Sequence, residues 1–110
     1  MAAKFELKKA ANGRIMFNLK ANNGEVILTS EMCVAKAAAK DGVAAVRVNA
    51  PHDARYDRQT AANGQRYFVL KAPNGRVLGK GEKYSSPQAM EDSITAVKRD
   101  ALDAPLEDLT

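Results

Sequence analysis

His52 is the only histidine of the chain and Cys33 its only cysteine. With the recurring Glu31 and Glu82, they are the side chains through which nucleophilic, acid–base or metal chemistry would have to run. A thiol–imidazole couple needs its two groups within hydrogen-bond reach. Cys33 falls between a third strand and a first helix, and His52 follows Pro51 in the next connection, with Asp53 beside it. The two belong to different elements, and His52 reads as an exposed linker histidine. One His and one Cys cannot supply the three or four ligands of the usual zinc sites. A helix N-terminus lowers a thiol pKa, which would make Cys33 reactive, but Tyr84 stands at the corresponding place in the second half of the chain and points to a packing role. Equivalent carboxylates of a duplicated chain could meet at a twofold axis and work as an acid–base pair. For Glu31 and Glu82 the plainer role is capping or ion pairing at a helix start. Asp41 and Asp92 fall mid-helix and face solvent. No G-x-x-x-x-G-K-[ST] or G-x-G-x-x-G occurs, and Gly79-Lys80-Gly81 is a lone tripeptide, so no phosphate loop is expected. These residues call for no catalytic, metal or cofactor site, and for no enzyme.

The elements that would position any site come from a duplication. A shift of 51 residues, Asn12 to Asn63, superposes the halves without a gap. Gly13/Gly64, Phe17/Phe68, Leu19/Leu70, Lys20/Lys71, Ala21/Ala72, Asn23/Asn74, Gly24/Gly75, Val26/Val77, Glu31/Glu82, Asp41/Asp92 and Val46/Val97 are identical pairs. In the first copy Phe5 and Leu7 alternate with polar residues, so 4–9 reads as a strand. Ile15, Phe17, Leu19 and Ala21 make a second, and 25–30, with Val26, Ile27 and Leu28, a third. Asn12-Gly13 and Asn23-Gly24 between them predict tight hairpin turns at positive φ. Ala35, Ala39, Val43, Val46 and Ala50 then recur at helical spacing, predicting a helix over 35–49 that stops at Pro51. Gly42 lies inside it at a cost of about 1 kcal/mol against Ala; close helix–sheet approach would account for it.

The second copy repeats the pattern, with Tyr56 in the place of Phe5 and a helix that starts at Ser85-Ser86-Pro87, a cap followed by proline. Its apolar face is Met90, Ile94, Val97 and Ala101. The tail 105–110 aligns with 54–59 and should be extended. Each copy alone, about 50 residues, is too small to be stable without staples. The chain is therefore expected to be one domain, 1–110, with pseudo-twofold symmetry, built from repeat 1 (about 4–53) and repeat 2 (about 54–110). Residues 54–60 are where the halves would exchange a strand.

At this point the residues resemble a known family, the small uncharacterised bacterial YegP-like proteins. The resemblance is carried by Asn-Gly-x-x-x-Phe-x-Leu-Lys-Ala-x-Asn-Gly in both copies, by Glu31 and Glu82, by the Val-Arg and Val-Lys helix ends, and by Asp108-Leu109-Thr110. It implies an α+β fold: two tandem β-β-β-α-β repeats forming one antiparallel sheet with exchanged C-terminal strands and two helices on one face. It implies no activity and no cofactor. The chain departs from the family at Cys33, where the family usually has Tyr.

The charge balance, 17 Lys/Arg against 13 Asp/Glu, is basic but scattered, with no run of five like charges. The start has no apolar core after its lysines and is not expected to be a secretory signal. A lone cysteine suits a reducing compartment, so a cytoplasmic protein is expected, with no membrane partner. If Phe17, Leu19, Phe68 and Leu70 face the helices, then Arg14, Met16, Asn18, Lys20, Tyr67, Val69 and Lys71 share the other face of the sheet. That face is the expected interaction surface of a non-catalytic binding or protein-interaction module, by a protein partner or by self-association. A weak nucleic-acid binder using Tyr67 and the lysines is the alternative, and an enzyme with carboxylates near the pseudo-axis is the third.

Overall fold

A computed structural model describes residues 3–110. Met1 and Ala2, which open the stretch read against a secretory signal, lie outside the described residues. Repeat 1 supplies β1 (Lys4–Lys9), β2 (Ile15–Lys20), β3 (Val26–Thr29) and α1 (Lys36–Asn49). Repeat 2 supplies β4 (Tyr56–Thr60), β5 (Arg66–Lys71), β6 (Val77–Lys80), α2 (Pro87–Asp100) and β7 (Leu106–Asp108). They form one seven-stranded sheet in the order β4-β5-β6-β3-β2-β1-β7. The two meanders meet where Thr29 pairs with Lys80, positions related by the 51-residue shift. The pseudo-twofold axis therefore passes between these two residues.

Both helices lie over the face carrying Phe5, Leu7, Phe17, Leu19, Phe68 and Leu70, all buried. Aromatic pairs recur in both copies: Phe5 meets Phe17 at 6.1 Å between ring centroids, and Tyr56 meets Phe68 at 5.8 Å. Gly42 has the reason anticipated for it, since a Cβ there would stand 2.9 Å from the Phe17 ring. In the other copy the helix carries Ser93, and room for the Phe68 ring comes instead from Gly81, where a Cβ would stand 2.2 Å from it.

The turns differ from the expected tight type. Only the glycines have positive φ, at 83° to 86°, and no other described residue does. At each hairpin an alanine accepts from the glycine N–H, as Ala10 does from Gly13 at 2.9 Å, and donates to the residue after the glycine. That is a three-residue loop, a type I turn closed by a left-handed glycine. The asparagine stays at negative φ and accepts from the N–H two residues on, at 3.0, 3.0, 3.1 and 2.9 Å in the four copies. Pro73 fits the first central position of such a turn.

The sheet is mixed where the resemblance implied an antiparallel one: β7 lies parallel to β1, with Phe5 beside Leu106. Continuity of the chain explains this. The segment after α1 runs on into β4, beside β5. The corresponding place beside β2 is already held by β1, so the segment after α2 settles on the outer edge of β1 in the same direction. The exchange of strands is kept, and the helix ends enforce it. Arg47 of repeat 1 lies over Phe5 and donates to Ala104 O (2.7 Å), just before β7. Its equivalent Lys98 lies over Tyr56 and binds Asp53 (2.6 Å), just before β4.

β4 is left as a sheet edge. It is a charged strand, and Arg58 holds the position that Leu7 has in β1. It turns onto Glu91 (2.6 and 3.0 Å) and Asp53 (2.9 Å). Asp53 is held down to about 2 by Arg58 and then Lys98. An inward-turned charge on an edge strand discourages pairing with another chain.

Candidate interaction face

The helix-free face is built from alternate residues of the strands. β2 presents Met16, Asn18 and Lys20; β5 presents Tyr67, Val69 and Lys71; Arg14 is exposed just ahead of β2. The sequence places these residues on one face correctly but not side by side. β3 and β6 stand between β2 and β5, and three strand spacings separate them by roughly 14 Å. The face is two patches related by the pseudo-axis. Nor are all the residues open: Asn18 is buried and accepts from Thr29 Oγ1 (3.0 Å). Val69 is buried too, between its cross-strand neighbours Asp57 and Lys80.

Charge pairing organises both patches, and the sequence reading missed it. Glu6, on β1, is only 4 % exposed, and three lysines surround it. Lys20 stands at 3.0 Å, Lys4 at 3.3 Å and Lys8 at 3.5 Å. Lys20 chiefly, opposed by burial and helped by Lys4, holds the Glu6 carboxyl below its ordinary range. Oε1 has close ammonium neighbours but no aligned hydrogen bond, so its pairing is a matter of charge. In repeat 2 the equivalent pair is Asp57 and Lys71, at 3.1 Å. Gln59 first, then Lys71, lowers the Asp57 carboxyl. Lys4 reaches on to Glu107 of β7 at 2.7 Å. Tyr67 Oη donates to Gln59, tying the one aromatic ring of the face to β4. The alternation of Lys4, Glu6 and Lys8 along β1 was the available signal, but charges two apart on one strand interlock only when the neighbouring strand's register is known.

The residues considered for chemistry do not converge. Glu31 and Glu82 lie two residues past the axial pair Thr29 and Lys80, beyond the ends of β3 and β6, which run in opposite directions. The chain leaves the axis in opposite directions at the two places, and both glutamates are exposed. His52 is exposed at the start of the short helical turn Asp53–Arg55. Cys33 is half-buried, bridged through its backbone to Ile15. No group of three or more His, Cys, Asp or Glu among the described residues could hold a metal ion. No helix of the described residues is long and apolar enough to cross a membrane.

Comparison with known proteins agrees with this architecture. The model of the family described as "Domain of unknown function (DUF1508)" matches twice, over residues 10–57 and 61–108, offset by the same 51 residues as the repeat. The chain is 46% identical over 106 residues to the UPF0339 protein YegP of Yersinia pestis, covering 96% of this chain and 95% of that one. It is 50% identical over 102 residues to a UPF0339 protein of Bordetella pertussis, covering 93% and 92%. The solution structure of yegP from E. coli, a protein described as of unknown function, superposes with a TM-score of 0.94 at 43% identity, covering 100% of this chain and 95% of that one.

Proposed function

This chain belongs to the DUF1508 family of UPF0339 (YegP-like) proteins, whose function is unknown, and we propose that it is a non-catalytic binding module that meets a protein partner through its helix-free sheet face. One observation carries this reading: the same carboxylate–lysine pair recurs in register in both patches, Glu6 with Lys20 and Asp57 with Lys71. A surface made for nucleic acid leaves its cations free to replace counterions at phosphates. Here Lys4, Lys20 and Lys71 already have carboxylates, and Tyr67 is tied to Gln59. A face with both signs fixed in place suits a surface of complementary mixed charge, which sets register and specificity. Glu31 and Glu82 leave the pseudo-axis in opposite directions and are exposed, which supports the non-catalytic reading over an acid–base pair. A cytoplasmic location is part of the proposal and rests on the single, unpaired cysteine.

The test compares affinity capture from nuclease-treated host extract by the wild type, by a Met16→Asp, Tyr67→Asp variant, and by a helix-side control, Val48→Asp. The expected result is a captured protein that the face variant loses and the control keeps. Capture that disappears with nuclease, together with oligonucleotide binding that weakens steeply with salt, would replace this reading with the nucleic-acid one. Capture indifferent to the face variant would remove the face.

A further inference from the structure

Cys33 and Tyr84 have the same backbone setting. Cys33 N donates to Ile15 O at 2.7 Å and Cys33 O accepts from Ile15 N at 2.8 Å; Tyr84 exchanges the same two bonds with Arg66, at 2.7 and 2.8 Å. The two Cβ atoms therefore leave the chain in equivalent directions, and only the length of the side chain differs. Tyr84 packs its ring against the core, with Oη buried and no hydrogen-bond partner. At Cys33 the chain stops at Sγ. A cleft of about 190 Å³ opens there between α1 and the start of β6, floored by Phe17, Cys33, Ala45 and Leu78.

We propose that this cleft is a binding site for one aromatic ring bearing a hydroxyl, supplied by a small phenolic ligand, which takes the place that the Tyr84 ring holds in the other repeat. The volume suits a single ring: a cavity of about 150 Å³ lined by apolar side chains admits benzene. The lining also supplies what a phenol needs and a hydrocarbon does not. Ser30 stands where repeat 2 has Gly81. Its Oγ accepts from Phe17 N and donates to Glu31 O, at 2.9 Å each, which leaves one lone pair unused. Glu31, Asp41 and Arg76 also line the cleft. The loop has changed in company with the cysteine: Met32 and Val34, 47 % and 84 % exposed, replace the equivalents Lys83 and Ser85. Neither side chain lines the cleft itself, but the exposed apolar pair flanks Cys33 only in the copy that has the vacancy.

The probe is p-cresol, titrated into the ¹⁵N-labelled full chain. Saturable shifts are expected at the amides of Cys33, Ala38 and Gly42 and not at Tyr84, Ala89 and Ser93, with a dissociation constant of roughly 1 mM for so few atoms. Toluene, lacking the donor, should bind about fivefold more weakly. p-Cresol at about four times its dissociation constant should slow alkylation of Cys33 by iodoacetamide about fivefold, in step with occupancy. Cys33→Tyr fills the cleft from the loop, and Ala38→Phe, at an exposed helix position, covers it from the other side. Each should weaken p-cresol at least about tenfold, and the second keeps the test valid if the first disturbs folding. Absence of saturable shifts, equal binding in both filled variants, or equal shifts at the Tyr84 site would overturn the proposal. So would a short tyrosine peptide that binds more than about tenfold tighter than p-cresol, because the occupant would then be a partner's side chain.

Discussion

Replacing Glu6 by Gln keeps the shape of the side chain and removes the charge that three lysines share. Two limits bracket the effect. An exposed ion pair is worth about 0.2–1 kcal/mol, while stripping one partner from a fully buried pair costs about 3–5 kcal/mol. Glu6 lies between them. Its side chain is 6 % exposed, but what covers it are the stems of lysines that are themselves 28 % to 39 % exposed. Water therefore screens the cluster from outside. Lys4 also keeps Glu107 at 2.7 Å after the substitution. A loss of about 1–2 kcal/mol is expected, near 4–8 °C in melting temperature for a domain of this size. The cycle Glu6→Gln, Lys20→Met should give a coupling of about 0.5–1 kcal/mol that shrinks in 1 M salt, where the screening length is about 3 Å.

The pH dependence gives an independent readout. The folded carboxyl titrates below its unfolded value of about 4.3, so its contribution is complete above that value and is lost as pH falls through the folded pKa. The gap between wild type and Glu6→Gln, followed by urea unfolding, should be full at pH 6, start to narrow as pH approaches about 4.3, and go on narrowing as pH falls through the lowered folded value. Asp53, Asp57, Asp100 and Asp108 are also lowered, but they are common to both proteins and cancel in the difference. A loss above about 3 kcal/mol would mean that the carboxylate is buried in the full sense. No loss, or a gap that does not narrow in acid, would refute the claim that charge orders this face.

Other substitutions test the architecture. Gly81→Ala drives a Cβ into the Phe68 ring and should cost about 2–3 kcal/mol by chemical denaturation; Gly64→Ala meets no atom and should cost only the positive-φ penalty of about 1 kcal/mol. Ser86→Ala removes the cap that accepts from Ala89 N and should cost about 1 kcal/mol, whereas Ala35→Ser at the uncapped start of α1 should add about 0.5–1 kcal/mol in the same assay. Ending the chain after Ala104 removes β7, uncovers the edge of β1 and should produce dimers or larger species in sedimentation; a monomer of unchanged stability would show that β7 protects nothing.

The duplication, the elements and the buried face were legible because each rests on local periodicity: Phe17 and Leu19 alternate, and Val43 and Val46 recur on a helical face. Gly42 was legible as an anomaly whose reason needed the position of Phe17. The Asn-Gly pairs marked every turn but suggested the wrong class, because the dipeptide fits both hairpin types and the preceding alanine's hydrogen bonds decide between them. What the sequence did not yield depends on partners distant along the chain. Lys4 with Glu107, Arg47 with Ala104 and Arg58 with Glu91 are each set by strand order and by the exchanged tail. Met16, Lys20, Tyr67 and Lys71 share the helix-free side of the sheet as the alternation implies, but their division into two patches follows from β3 meeting β6 at the axis.

A duplicated chain contains its own comparison. Where the two copies keep the same device, as with Arg47 on Phe5 and Lys98 on Tyr56, or Glu6 with Lys20 and Asp57 with Lys71, the fold or the face needs it twice. Where equivalent positions part, some differences are compensations inside the core. Gly42 and Ser30 in one copy are answered by Ser93 and Gly81 in the other, and each arrangement makes room for one phenylalanine ring. Arg58 in the place of Leu7 has a mechanical reason too, because β4 is a sheet edge and β1 is covered by β7. Met32, Cys33 and Val34 in the place of Lys83, Tyr84 and Ser85 fit neither account. They leave a cleft unfilled and apolar side chains exposed, and so the loop before α1 joins the sheet face as a place to look for a ligand.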